Sequence, residues 1–144
     1  RPDLIEVVVH QHVPMFHMQH CLFAANLSRG RDRRDCGRPC HRRVELRDRL
    51  GVQHPVVSDA ACRTTVFHAY AQSAAEYLGE MQRLGVSRFR IELLDETPDQ
   101  TRAVLDCYGR LLAGLAEPRA VVRELRGLLP CGVTRGTFAP ARQA

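Results

Sequence analysis

The heptapeptide RFRIELL, residues 88–94, alternates strictly, with Phe89, Ile91 and Leu93 on one side and Arg88, Arg90 and Glu92 on the other. A period of two is that of a strand with one apolar face. Just beyond it, TPDQ at Thr97–Gln100 has the form of a capping box with proline in the first helical position, and Val104, Tyr108, Leu111 and Leu115 continue at helical spacing. A strand that runs straight into a capped helix is the repeating unit of α/β proteins, and it limits what the rest of the chain can build.

The other segments fit that grammar. Residues Leu4–His10 read as a strand, with Ile5, Val7 and Val9 opposite Glu6, Val8 and His10. From Gln11 to His41 no period persists, and Pro14, Gly30, Gly37 and Pro39 predict a long loop region. VELRDRLGVQHPVV predicts a hairpin turning at Arg49–Gly51, with Pro55 making its second arm an edge. Asp59 is expected to cap a helix carrying Val66, Tyr70, Ala74, Tyr77, Met81 and Leu84, ended by Gly85. A shorter helix is expected from Pro118 to Leu129, turning Val121, Val122, Leu125, Leu128 and Leu129 inward, before a tail, TRGTFAPARQA, without regular pattern. In a barrel both apolar strand faces would pack on outer helices, and Glu6, His10, Arg90 and Glu92 would point inward, His10 at the carboxyl end where barrel chemistry sits. Two principal strands cannot close a barrel, so the chain reads either as the later part of one or as a small open sandwich.

The 144 residues suffice for one ordinary domain that buries roughly 70% of its unfolded surface. Apolar runs such as LLAGLA fall well short of the ~18 residues of a membrane span, and the chain opens on no charged-then-apolar leader. The expectation is a cytoplasmic protein that does not engage membranes. The opening RPDLIEVVVH, without an initiator Met, predicts a chain that begins partway through a larger protein. Charge is concentrated: between Arg29 and Arg49 nine arginines face four acids, which equals the whole formal excess of +5. Such a block suits a polyanion or an anionic small molecule, or else is a solvated loop.

Six cysteines without a leader argue for metal or catalysis rather than a disulfide framework. Cys107 and Cys131 stand alone, as buried thiols of a helix and a loop commonly do. Cys21, Cys36, Cys40 and Cys62 are spaced 15, 4 and 22 apart, in or beside the irregular region. Only DCGRPC holds a short pair, whereas structural zinc sites use two, so the spacing favours an iron–sulfur cluster while leaving zinc open. HQHVPMFHMQH holds four of the seven histidines, but HExxH is absent and Pro14 breaks the helix that a metalloprotease motif needs. Ser28, Ser58, Ser73 and Ser87 lie in no nucleophile-elbow motif. His10, His17 and His20 remain candidates for substrate contact or acid–base work.

EVVVHQHVPMFHMQHCLFA, CGRPC, ELRDRLGVQHPVVSDAACRTTVFHA and RFRIELLDE together resemble the later half of the collagenase-like peptidase U32 family over residues 4–113, and GVTRGTF near the end is similar too. The family pattern has Glu, an aromatic or aliphatic, His-Gly and two Cys seven apart. Glu6, Val8, His10 and Cys21 fall on register, while Gln11 and Gln19 stand for the glycines and Pro14 for the earlier Cys. The resemblance implies the later part of a TIM-type (β/α) barrel with a cysteine-bearing loop and hairpin insertion, spanning residues 1–115 with the loop at 11–62, followed by a helix and tail at 116–144. It implies a 4Fe–4S cluster on Cys21, Cys36, Cys40 and Cys62, with zinc as the alternative. Several relatives take part in oxygen-independent hydroxylation of ubiquinone precursors or RNA bases, and others are known as collagenases. The expected function is therefore hydroxylation of an RNA base or quinone precursor, with a collagenase-like peptidase and a zinc-stapled RNA-binding module as alternatives. His10, Arg90 and Glu92 form the candidate catalytic set, and Arg63, His17 and His20 the candidate substrate contacts, Arg63 and Arg90 suiting an anionic donor or phosphate. The expected partners are an anionic small molecule or RNA, together with the missing barrel half or a partner subunit.

Overall fold

A computed structural model describes residue 1 and residues 4–139. It is mixed α/β, with strands β1 (Glu6–Met18), β2 (Val44–Arg47), β3 (Gln53–Ser58), β4 (Thr64–Ser73), β5 (Arg88–Ile91) and β6 (Val133–Thr134). The α-helices are α1 (Leu22–Leu27), α2 (Leu78–Arg83), α3 (Pro98–Leu112) and α4 (Pro118–Leu128). Contacts divide the chain into two compact units, one of residues 1–12 and 70–144 and one of residues 13–69. The strand ladder runs β2-β3-β4-β1-β5, with β6 also on β4, and it does not return on itself: the sheet is open rather than closed into a barrel.

In the first unit β1 pairs in parallel with β5, Glu6 opposite Arg88 and Val8 opposite Arg90, and the end of β4 pairs in parallel with β6. The core joins Val9 and Ala71 to Leu78, Val104, Cys107, Tyr108, Val121, Leu125 and Val133, with Val7, Phe89 and Ile91 packed against it. The alternation in β1 and β5 thus delivers its apolar face to α3 and α4. Glu6, Arg90 and Glu92 stay about half exposed and pair with one another, Arg90 Nε lying 3.3 Å from Glu6 and 3.2 Å from Glu92. His10 does not share that face. The β1–β5 register slips between Val8 and His10, and this bulge buries both Val9 and His10. Nor does His10 end the strand, since β1 continues to Met18 through residues expected to form loop.

The capping box is present as expected: Thr97 Oγ1 accepts from Gln100 N at 3.2 Å, and Gln100 Oε1 accepts from Thr97 N at 2.9 Å. Val104, Tyr108 and Leu111 are buried, but Leu115 lies beyond the helix end and is 77% exposed. The tail contains a short strand and a 3-10 turn at Gly136–Phe138, which Gln72 anchors by accepting from both Thr137 N and Thr137 Oγ1 at 3.0 Å. The end of the tail expected to lack pattern, residues 140–144, lies outside the described residues.

In the second unit β2, β3 and β4 form an antiparallel meander over a small core of Phe23, Val56 and Val66. The hairpin of β2 and β3 is as expected, but β3 has a partner on each side, so Pro55 is not on an edge. Its ladder to β4 begins only at Val56, and the His54 ring takes over before it, Nδ1 accepting from Ala69 N at 3.1 Å. The helix expected after Asp59 is largely strand β4, with helix confined to α2. Thr64, Thr65, Val66 and Phe67 favour a strand, and the apolar spacing from 66 to 84 coincides with helical spacing without being helical.

Thr97→Ala removes one half of the capping box and leaves an N–H of α3 without its acceptor. Urea unfolding of that variant is expected to show a loss of ~1 kcal/mol with an unchanged m-value; an unaltered midpoint would mean the box contributes nothing.

Candidate functional sites

Two sites emerge, one in each unit. The first is built by turns. After β2, Asp48 N donates to Val52 O and Gly51 N to Asp48 O, while Asp48 Oδ1 accepts from Leu50 N and Val52 N. After β3 the same pattern recurs: Asp59 N donates to Arg63 O and Cys62 N to Asp59 O, while Asp59 Oδ1 accepts from Ala61 N and Arg63 N. This is the three-residue hairpin loop whose last member must be left-handed, a position suited to glycine. The first hairpin has Gly51 there, at φ +85°; the second has Cys62, at φ +64°. A non-glycine residue in that conformation costs about 1 kcal/mol or more, so the thiol is held where the backbone would be more stable without it.

Cys62 shares a cavity of about 110 Å³ with Cys21, Cys36 and Cys40, so all four sequence-selected thiols line one space. Cys21 precedes α1 and its Sγ accepts from Ala24 N at 3.4 Å; Cys40 sits in the 3-10 turn Pro39–His41 that follows left-handed Gly37 and Arg38. A neighbouring cavity of about 450 Å³ is lined by Cys21, Cys36 and Cys62 together with His20, Arg31 and Arg33. Gly30 lets its loop close, because a Cβ there would lie 2.4 Å from Asp35 O. Among the described residues no ion pair engages Arg31 or Arg33. Arg63, by contrast, is tied to Asp59 at 2.6 Å, and His17 Nδ1 is bonded to Thr65 Oγ1 at 2.9 Å; neither lines these two cavities. The donor set suits a thiophilic group in chemistry and in sharing one wall. Among the described residues, however, no three His, Cys, Asp or Glu side chains are already arranged as a metal ion needs, so a bound group would have to draw the sulfurs inward.

The second site joins His10 to residues that no sequence pattern marks. Tyr108 Oη gives its one proton to Val9 O at 3.0 Å, so Ser73 Oγ at 2.7 Å and His10 Nδ1 at 3.3 Å are both its donors. His10 therefore carries its proton on Nδ1, and Nε2 is left as a bare, buried acceptor with no partner. Burial lowers the His10 pKa to about 4, against an opposing pull from Glu96. Burial would raise that of Glu96, but His12 and the Leu94 N–H outweigh it and bring it to about 2. Glu96 Oε2 accepts from Leu94 N at 2.7 Å, and Oε1 stands 3.3 Å from His12 Nε2 without hydrogen-bond geometry. Glu96 and Tyr108 reach β1 only through the fold, which is why no local motif signals the group. Cys107, expected to be structural, is fully buried, and desolvation with Glu124 pushes its thiol up to about 11.

The family model of peptidase family U32 matches residues 4–137. The chain belongs to that family, as the sequence resemblance implied. Neither the curated proteins nor the solved structures yield a match. No helix among the described residues is long and apolar enough to cross a membrane.

Cys62→Gly is expected to raise the stability of the metal-free protein by about 1 kcal/mol, where most thiol deletions are neutral or costly; destabilisation would refute the strain argument. As pH falls from 6.5 to 4 the unfolded chain binds a proton that buried His10 refuses, and from 4.5 to 2 it binds one that Glu96 refuses. Stability should therefore decline throughout that range, by roughly 3 kcal/mol from His10 alone. Urea midpoints that stay level between pH 7 and 4 would contradict the His10 assignment.

Proposed function

We propose that this chain is the cysteine-bearing part of a U32 iron–sulfur protein that supports oxygen-independent hydroxylation of an RNA base or a quinone precursor. The observation that carries the reading is that Cys21, Cys36, Cys40 and Cys62 line one cavity while Cys62 occupies a backbone position suited to glycine. A strained turn is kept when the side chain in it is needed. When bound, a 4Fe–4S cluster supplies one-electron transfer at a potential tuned by charge, hydrogen bonds and solvent access.

The chain's own residues would do the rest. Arg31 and Arg33, on the wall of the larger cavity, present guanidinium groups to a carboxylate or phosphate of the substrate or oxygen donor, the role that Arg63 cannot take while Asp59 holds it. Ala24, Ala25, Ala60 and Ala61 leave that cavity room for a planar ring beside the thiols, and its volume is within the range of small-molecule sites. His20 lines the same cavity and is the imidazole available for proton transfer there. The open sheet is the later part of a (β/α) barrel whose remaining strands come from another segment or subunit, with Glu6, Arg90 and Glu92 facing its interior.

Anaerobic reconstitution with iron and sulfide tests the reading. A brown protein with broad visible absorption and about four irons and four sulfides per chain is expected, with both contents falling severalfold in Cys36→Ser and Cys40→Ser. A colourless protein that retains stoichiometric zinc, or one that holds iron equally well in both variants, would sink it.

A further inference from the structure

Strand β2 ends the ladder, and among the described residues no strand lies on its outer side. The hairpin shows which of its main-chain groups turn that way. Asp48 N donates to Val52 O at 3.0 Å, so these two residues bond across the turn, and along an antiparallel pair bonded and non-bonded positions alternate. In the register that follows, Val44 opposite Val56 and Leu46 opposite His54, Val44 and Leu46 direct their N–H and C=O groups to β3. Glu45 and Arg47 direct theirs outward, in the i, i+2 spacing that a further strand would meet. The N–H that Pro55 lacks then belongs on the β4 side, in agreement with the late start of that ladder.

Two further observations say what such a strand would be. Between α1 and β2 lies a cavity of about 230 Å³, lined by Leu22, Phe23 and Leu27 on one side and by Val44 and Leu46 on the other, and Leu27 and Leu46 remain about half exposed beside it. Arg42, Arg47 and Arg49 are exposed and, among the described residues, enter no ion pair, whereas Arg43 is held by Glu45. A short edge carrying unpaired positive charge repels a second copy of itself, so self-pairing is disfavoured. The same charge attracts an acidic chain. We propose that the outer edge of β2 takes up an extended acidic segment of a partner protein as an added strand, with one large apolar side chain of that segment in the cavity beside α1. Residues placed opposite Val44 and Leu46 would turn their side chains to the cavity, because directly opposed residues share a face. Those opposite Glu45 and Arg47 would exchange main-chain hydrogen bonds, and acidic side chains along the segment would meet the three arginines. A nucleic acid could satisfy the guanidinium groups but offers neither the main-chain pattern nor the apolar side chain. The inference goes beyond the cluster reading and uses none of the four thiols proposed as ligands.

Fluorescence anisotropy of the full chain with a labelled short peptide of alternating glutamate and leucine tests this. The peptide should bind, and affinity should fall at least tenfold when lysine replaces its glutamates, when serine replaces its leucines, or when its alternate amides are N-methylated. On the protein side, Glu45→Pro deletes one outward N–H, leaves the β2–β3 bonds intact and removes a negative charge. Attraction by charge alone would therefore hold or strengthen in that variant, whereas strand addition should weaken at least tenfold. Should the variant fail to fold, the unmodified chain still decides: with peptide bound, hydrogen exchange at the Glu45 and Arg47 amides should slow severalfold. No binding, equal binding of the N-methylated peptide, unchanged exchange at those two amides, or displacement of the peptide by polyuridylate with an unaltered Glu45→Pro response would each overturn the proposal. Self-association of the chain through this edge, read by sedimentation and abolished by Glu45→Pro, would overturn it as well.

Discussion

The second unit depends on one hydrogen-bonding device, an aspartate that closes a five-residue hairpin by accepting two backbone N–H groups through a single carboxylate oxygen. The device fixes the turn so firmly that the fourth residue has no choice of conformation. At Asp48 the constraint meets Gly51 and costs little; at Asp59 it meets Cys62, and the carboxylate both forces the left-handed backbone and holds Arg63 through its other oxygen. The pKa of Asp59 is lowered first by its bond to the Arg63 side chain, then by backbone N–H groups, so the turn keeps its charge and its shape together. The position of one thiol in the cysteine cavity is therefore a consequence of turn chemistry that begins at Asp59, earlier in the same loop.

A comparable economy operates in the first unit, where a single extra residue in β1 changes which side chains the core receives. Without the bulge, strict alternation would send Val9 inward and His10 outward beside Glu6 and Val8. With it, both are buried, and an imidazole must be accommodated beside Tyr108. The Tyr108 hydroxyl solves half of that problem by engaging Nδ1, and it also satisfies Val9 O in the same irregular stretch. The other half, Nε2, is what the bulge leaves over.

What is legible in the sequence is local. The capping box of α3 lies within four residues, and its two reciprocal bonds need no partner from elsewhere. The strand at β5 is visible because its alternation reports a sheet with one apolar face. Asp59 misleads for a definite reason: an aspartate can accept from the N–H groups that follow it either at a helix start, two or three residues on, or in a hairpin, here two and four residues on, and only the strand-forming residues after it decide between them. Residues Gln11–Met18 escape notice because a strand that carries Pro14 and many polar side chains gives no alternation of apolarity. The common cavity of the four cysteines follows from their placement in irregular chain, which can bring distant residues together. The grouping of His12 with Glu96 cannot be foreseen, since 84 positions of chain separate them and neither belongs to a recognisable pattern.

The arginine block shows how a charge count becomes a site only through the fold. Its four acids would seem available to neutralise it, but Asp32 and Asp35 accept from backbone N–H groups of their own turn, Asp48 from those of the hairpin, and Glu45 pairs with Arg43. Three of the carboxylates are engaged in shaping loops and the fourth in an ion pair with Arg43, and Arg31 and Arg33 are left at the wall of the larger cavity. Asp32 and Asp35 shape the turns around Cys36 by accepting from backbone N–H groups, and Asp32 lines the larger cavity together with Arg31 and Arg33, so one acid stands there against two guanidinium-bearing residues. The folding of the loop thus sets two arginines against one aspartate on the cavity wall, which is how a block within a net charge of +5 gives this cavity a local positive excess.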